Sequence, residues 1–276
     1  MSDTSDHDLP LLGPEDPPPV SVVNPTGQAP VLLICDHASN AVPRALGGLG
    51  LTERDLHRHI AYDIGSAEIT RLLAEALDAP AVLAGYSRLV VDCNRHLGHP
   101  DSIVRESDGV VIPGNAEVSP ADARDRAASC FWPYHRRIGA GIAGFAERGI
   151  RPAVVAVHGF TPVLGGAKRP WHIGILWGED GRIAVPLIDA LRRDTGMAIG
   201  DNEPYSGRLH YGYSVSVHAG ETGLPNVLIE LREDIVAAED DRRRTAALLA
   251  EALRPILFDP GLPGIAVRGL SHGEEG

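Results

Sequence analysis

The sequence predicts an α/β protein, a three-layer α/β/α arrangement around a mostly parallel, mixed sheet. Two features carry that prediction. Short apolar runs recur without polar alternation, as strands buried on both faces require. Helical patterns of 15 residues or more separate them, long enough for crossover connections.

Residues 1–28 are rich in Pro, Asp, Ser and Gly and read as a flexible N-terminal segment. Residues 29–258 form a single α/β domain, and 259–276 a C-terminal tail of similar composition. Within the domain, "APVLLICDH" (29–37) is a short buried strand. "TERDLHRHIAYDIGSAEITRLLAEALD" (52–78) reads as one helix, with Thr52 as its N-cap and an apolar stripe from Leu56 to Leu73. "APAVLAG" (79–85) and "RLVVDCN" (88–94) read as strands. Residues 119–148 read as a helix that Pro133 bends or interrupts. Strands follow at 152–160 and 172–178, then a helix at 182–196, a strand at 225–234 and a closing helix at 240–257.

Composition narrows the function. A net charge of -12 argues against nucleic-acid binding, which needs clustered Lys and Arg. No apolar run approaches the length of a membrane span, so no membrane partner is expected. The chain's 3 cysteines are too few for a disulfide framework in a chain this long and suit a reducing cytoplasm. The glycine runs lack P-loop spacing, and no G-x-S-x-G, C-x-x-C or H-E-x-x-H is present.

Four apolar runs end in chemistry. "VLLIC" leads into Asp36-His37, "RLVV" into Asp92-Cys93-Asn94-Arg95, "AVVAV" into His158, and "NVLI" into Glu230-Leu231-Arg232. In a parallel sheet such carboxyl ends meet at one edge, where ligands bind. Two histidines and a carboxylate make a catalytic zinc set with a position left for water. His37 and His158 are the pair. Glu230 could take a proton from the attacking water and pass it to a leaving amine. Asn94 and Arg95 could hold a substrate carboxylate, since a guanidinium offers it two parallel donors.

The stretches "CDHASNAVP", "AYDIG", "YSRLVVDCNR", "IPGN", "HGFTP", "RPWHIGILW" and "GLPNVLIELRED" resemble, in order, the N-formylglutamate amidohydrolase family. The resemblance implies a hydrolase domain with a zinc-exopeptidase, phosphorylase/hydrolase-like fold, similar to zinc carboxypeptidases and aspartoacylases. It implies one divalent ion, Zn2+, held by His37 and His158. In carboxypeptidases and aspartoacylases the first ligands come as H-x-x-E, but here that position is Asn40, a poor zinc ligand. Asp63 of "AYDIG" is the preferred third ligand, with Asp36 and Asn40 as alternatives. His218 is a candidate donor to a developing oxyanion or a substrate carboxylate. Arg88 is a candidate second carboxylate clamp or a partner for Asp92. His57, His59, His96 and His99 read as surface residues.

The implied activity is hydrolysis of N-formyl-L-glutamate to formate and L-glutamate, a late step of histidine breakdown. Two alternatives remain open. One is a deacylase or carboxypeptidase-like peptidase acting on another acyl or peptide substrate, such as a cell-wall fragment. The other is a metal-free carboxylate-binding protein, which the Asn40 departure supports and the retained His37, His158 and Glu230 argue against.

Overall fold

The structure is a computed structural model and describes residues 9–208 and 212–264. Seven strands form the main sheet. They are β1 (Val20–Val23), β2 (Val31–Cys35), β3 (Ala81–Ala84), β4 (Ala153–Phe160), β5 (Ile173–Leu176), β6 (Ile199–Asp201) and β7 (Asn226–Arg232). Their spatial order is β1-β3-β2-β4-β7-β5-β6. The central strands β3, β2, β4 and β7 run parallel. β1 joins antiparallel at one edge, and β5 turns the sheet antiparallel beside β7.

Two cores follow from the two-residue period of the central strands. Leu33, Cys35, Val155, Val157, Val227 and Ile229 face one side. There they meet α1 (Ser66–Leu77), α4 (Ala184–Thr195) and α5 (Glu239–Leu257). Leu32, Ile34, Val154 and Ala156 face the other side and pack on Tyr134, Ile138 and Phe145. Those residues belong to α3 (Trp132–Glu147), which follows α2 (Pro120–Arg126) across a π-helical turn at Ala127–Phe131. The three-layer arrangement and the mostly parallel mixed sheet are as the sequence predicts. The interruption expected at Pro133 falls at this π-turn. Among the described residues, no helix is long and apolar enough to cross a membrane.

Four local expectations are corrected. The helix expected over 52–78 is broken: one turn at Glu53–Leu56 is followed by turns, and α1 starts only at Ser66. Gly65 breaks it, with φ 82° and Val236 packed so closely that a Cβ would stand 2.9 Å from its Cγ2. Residues 88–94, expected as a strand, form buried turns. Leu89, Val90 and Val91 pack in a third cluster with Leu49, Ile112 and Phe131. The Leu89 carbonyl accepts from Asn115 and the Val90 carbonyl from Arg126, so side chains satisfy this backbone instead of a ladder. The segment 1–28 is not wholly without structure, since β1 lies within it and pairs with β3. The strand β6 was not anticipated at all. In the tail, Leu262 is buried in a short turn, while residues 1–8 and 265–276 lie outside the described residues.

Candidate active site and metal centre

The site is built at the carboxyl ends of β2, β4 and β7. His37 lies two residues past the end of β2, in the turn that follows it. His158 lies within β4 and Glu230 within β7, and the two are direct partners in parallel register. Both share parity with Ala156 and Leu228, so both project to the α3 side of the sheet.

Asp63 completes a triad. It sits in the turns that replace the expected helix, with its backbone N–H donating to the His37 carbonyl at 3.0 Å. Helical continuation through 57–65 would not hold the carboxylate there. His37 Nδ1 and His158 Nδ1 each lie 3.2 Å from Asp63 Oδ2. The Gly159 N–H donates to the same oxygen at 3.1 Å. The rings stand edge-on, with centroids 4.9 Å apart. One ligand atom from each of His37, Asp63 and His158 lies within 4.8 Å of the others, and all three residues are buried.

The outer nitrogens are also held. His37 Nε2 lies 2.8 Å from Asp92 Oδ1, and His158 Nε2 lies 2.7 Å from Asp36 Oδ2. A carboxylate only accepts, so each Nε2 carries the proton. In a neutral ring each Nδ1 is then a lone pair, and two lone pairs converge on a carboxylate oxygen. That arrangement repels unless protons or a cation sit between the three groups. Two imidazole nitrogens and one carboxylate, each imidazole braced by an outer carboxylate, suit a divalent ion such as zinc. The residues fit the metal that the resemblance implies.

The buried charges of the site act strongly on one another. Burial alone would lower the His158 imidazole, but its bonds to Asp36 and Asp63 raise it to about 10. Burial would raise Asp36, yet His158 holds it down to about 2. Burial also opposes ionisation of Asp63 and Asp92, and the neighbouring histidines and Arg88 outweigh it in Asp92, as the histidines do in Asp63. Glu230 behaves in the opposite way. Burial pushes it up to about 8, and its Oε2 is buried without a hydrogen-bond partner. A buried carboxyl with an unpartnered oxygen is unfavourable unless it keeps a proton or meets a ligand.

The other expected residues fall as follows. Arg88 donates to Asp63 Oδ1 at 3.3 Å and to Asp92 Oδ2 at 3.1 Å, so it braces both carboxylates. Asn94 lends its Oδ1 to the N–H groups of Tyr213 and Ser214, at 2.7 and 3.1 Å. This anchors a segment 119 residues away, from which the Ser214 hydroxyl donates to Asp36. Arg95 and Arg88 both line a cleft of about 600 Å³, together with Asp92, the outer partner of His37. Asn40 donates to the Leu56 carbonyl and plays no part in the triad. Asp36 is an outer partner of His158.

His218 lies 3.0 Å from His135 Nδ1 through its Nε2. The other nitrogen of His135 lies 2.9 Å from the Cys93 carbonyl and must donate to it. Burial lowers His135 to about 4, so its ring is neutral and its Nδ1 accepts from His218. The remaining nitrogen of a neutral His218 is therefore an acceptor.

Sequence reasoning missed His59, His135 and Ser214. His59 is no simple surface residue: it lines the cleft, and its Nδ1 lies 3.7 Å from Asp63 Oδ1. No spacing rule singles out these residues, because each reaches the site from a turn or from a remote helix.

Residues 29–237 match the family described as N-formylglutamate amidohydrolase. The chain belongs to the N-formylglutamate amidohydrolase family. It is also similar to the crystal structure of gene product Atu2144 from Agrobacterium tumefaciens. That likeness has 34% identity and a TM-score of 0.85, over 90% of this chain and 98% of that one. The fold is shared with an N-formylglutamate amidohydrolase from Ralstonia eutropha JMP134. There the identity is 16% and the TM-score 0.56, over 86% of this chain and 98% of the other. Comparison with curated proteins gives no match. Membership in this family supports amidohydrolase activity for the chain.

Proposed function

We propose that the protein is a metal-dependent amidohydrolase acting on a small N-acyl amino acid, with N-formyl-L-glutamate as substrate and formate and L-glutamate as products. The observation that carries this reading is the buried His37, Asp63 and His158 triad beside Glu230, whose Oε2 is buried without a hydrogen-bond partner. The triad would hold one divalent ion, zinc by donor type. When bound, such an ion polarises the scissile carbonyl and acidifies water at the site.

The chain's own groups do the rest. Asp36 and Asp92 fix the imidazole Nε2–H groups, so both Nδ1 lone pairs point inward. Glu230, opposite His158, takes a proton from the attacking water and delivers it to the leaving amine nitrogen. Its high proton affinity suits a group that must hold that proton between two steps. Arg95 and the remaining donors of Arg88 meet a substrate carboxylate from the cleft wall. Asn94 contributes through its amide nitrogen, its oxygen being committed to the backbone. His218 donates to an oxyanion only as the imidazolium, since its neutral ring carries no second donor.

Formate release from a panel of N-formyl and N-acetyl amino acids tests the substrate. N-formyl-L-glutamate should be cleaved fastest, with activity removed by chelator and restored by zinc. Faster cleavage of acetyl substrates, or chelator-resistant activity in metal-free protein, would overturn the reading.

A further inference from the structure

We propose that Arg169 and Tyr205 form a separate subsite for a carboxylate of the substrate, one step along the sheet from the metal centre. The proposal rests on the functional reading above and adds to it a second anion-binding position.

Arg169 is 8% exposed. Its guanidinium donates to the Tyr205 hydroxyl at 3.0 Å and to the Thr161 carbonyl at 3.4 Å. Both partners are neutral, and among the described residues it forms no ion pair. It stacks over the Phe160 and Tyr205 rings, 5.7 and 5.0 Å from their centroids. Such stacking offsets only part of the cost of burying a guanidinium. Stacking therefore answers only part of the charge; Glu230 acts on it through space, and an anion would complete the balance.

The position is built. Arg232 donates to the carbonyls of Arg169, Pro170 and Trp171, which fixes the backbone that carries the guanidinium. Phe160, beneath it, follows His158 by two residues on β4, so both share one face. That step is about 7 Å, comparable to the reach of a glutamate-sized acid. Tyr205 arrives from the other side. Its loop lies on Gly174, where a Cβ would stand 2.1 Å from the Glu203 carbonyl oxygen. Gly174 is the register partner of Glu230. The Tyr205 ring lines the same cleft as Arg88 and Arg95. Its hydroxyl oxygen accepts from Arg169, which leaves its proton to donate into the cleft. A cationic fork behind a phenol donor is the chemistry that recognises a carboxylate.

The test is calorimetric binding of glutarate and of pentanoate, which has the same chain length and one carboxylate fewer, to the full chain. Wild type should prefer glutarate by at least about tenfold. Tyr205→Phe, which removes one oxygen, should cut that preference by about fivefold, and Arg169→Gln should abolish it. Arg169→Lys, which restores charge without the fork, should recover only part of it. In turnover, the KM for N-formyl-L-glutamate should rise in Tyr205→Phe about five times more than the KM for N-formyl-L-glutamine. If wild type shows no preference for glutarate, or if folded Tyr205→Phe and Arg169→Gln keep it, the subsite is wrong. Failure of the functional reading shows differently, as no formate from any N-formyl amino acid, and the binding ratio still decides the subsite.

Discussion

His158 and Glu230 stand opposite each other on adjacent parallel strands, one an imidazole raised to about 10 and the other a carboxyl raised to about 8. The sheet register alone sets this pairing. It puts a group that gathers carboxylates next to one with an unpartnered oxygen. Glu230→Gln should therefore lower turnover by about 10²-fold or more while leaving metal content and substrate binding intact. The variant should melt at or above the wild-type temperature, because a neutral amide replaces a buried carboxyl with an unpartnered oxygen. Near-normal turnover would remove Glu230 from proton transfer.

Metal content is the next test. Purified protein should carry about one divalent ion per chain, lost in His37→Ala, Asp63→Ala and His158→Ala alike. Zinc at about a thousandfold over its Kd should add about 4 kcal/mol of stability through linkage. Elemental analysis with thermal melts reads both, and a zinc-insensitive melt would contradict a shared site.

The outer carboxylates should matter nearly as much. Asp92→Asn and Asp36→Asn each remove the charge that holds one Nε2–H. Metal affinity should fall by about 10–100-fold in each, measured by competition with a chromogenic chelator. Unchanged affinity would mean that the imidazoles are oriented by packing alone.

His135 gives a pH signature away from the triad. Burial holds it at about 4 in the fold against about 6.5 in the open chain. The unfolded state thus binds a proton that the folded state refuses, and stability is lost as pH falls from about 6.5 toward 4. The contribution is of order 3 kcal/mol. Denaturant unfolding at pH 7.5 and 4.5 should show a smaller acid loss in His135→Phe than in wild type. Equal losses would show that His135 does not resist protonation.

How much of this was legible in the chain depends on where each residue sits. Strands buried on both faces announce themselves as unbroken apolar runs, so β2, β4 and β7 and the residues at their ends could be read directly. The run Leu89–Val91 looked the same but packs in a side cluster, because an apolar run reports burial and not a ladder. The helix expected through Asp63 failed at Gly65, where a positive φ and a close contact with Val236, far along the chain, both require glycine.

The sequence by itself determined the fold class and the family and pointed to His37, His158 and Glu230, since local period and ordered motifs encode these. Only the tertiary structure decided that Asp63 joins them, that Asp36 and Asp92 brace their outer nitrogens, and that Arg169 lies buried beside Tyr205. Those contacts join segments tens to more than a hundred residues apart. They depend on sheet register and loop packing, which no local pattern of residues records.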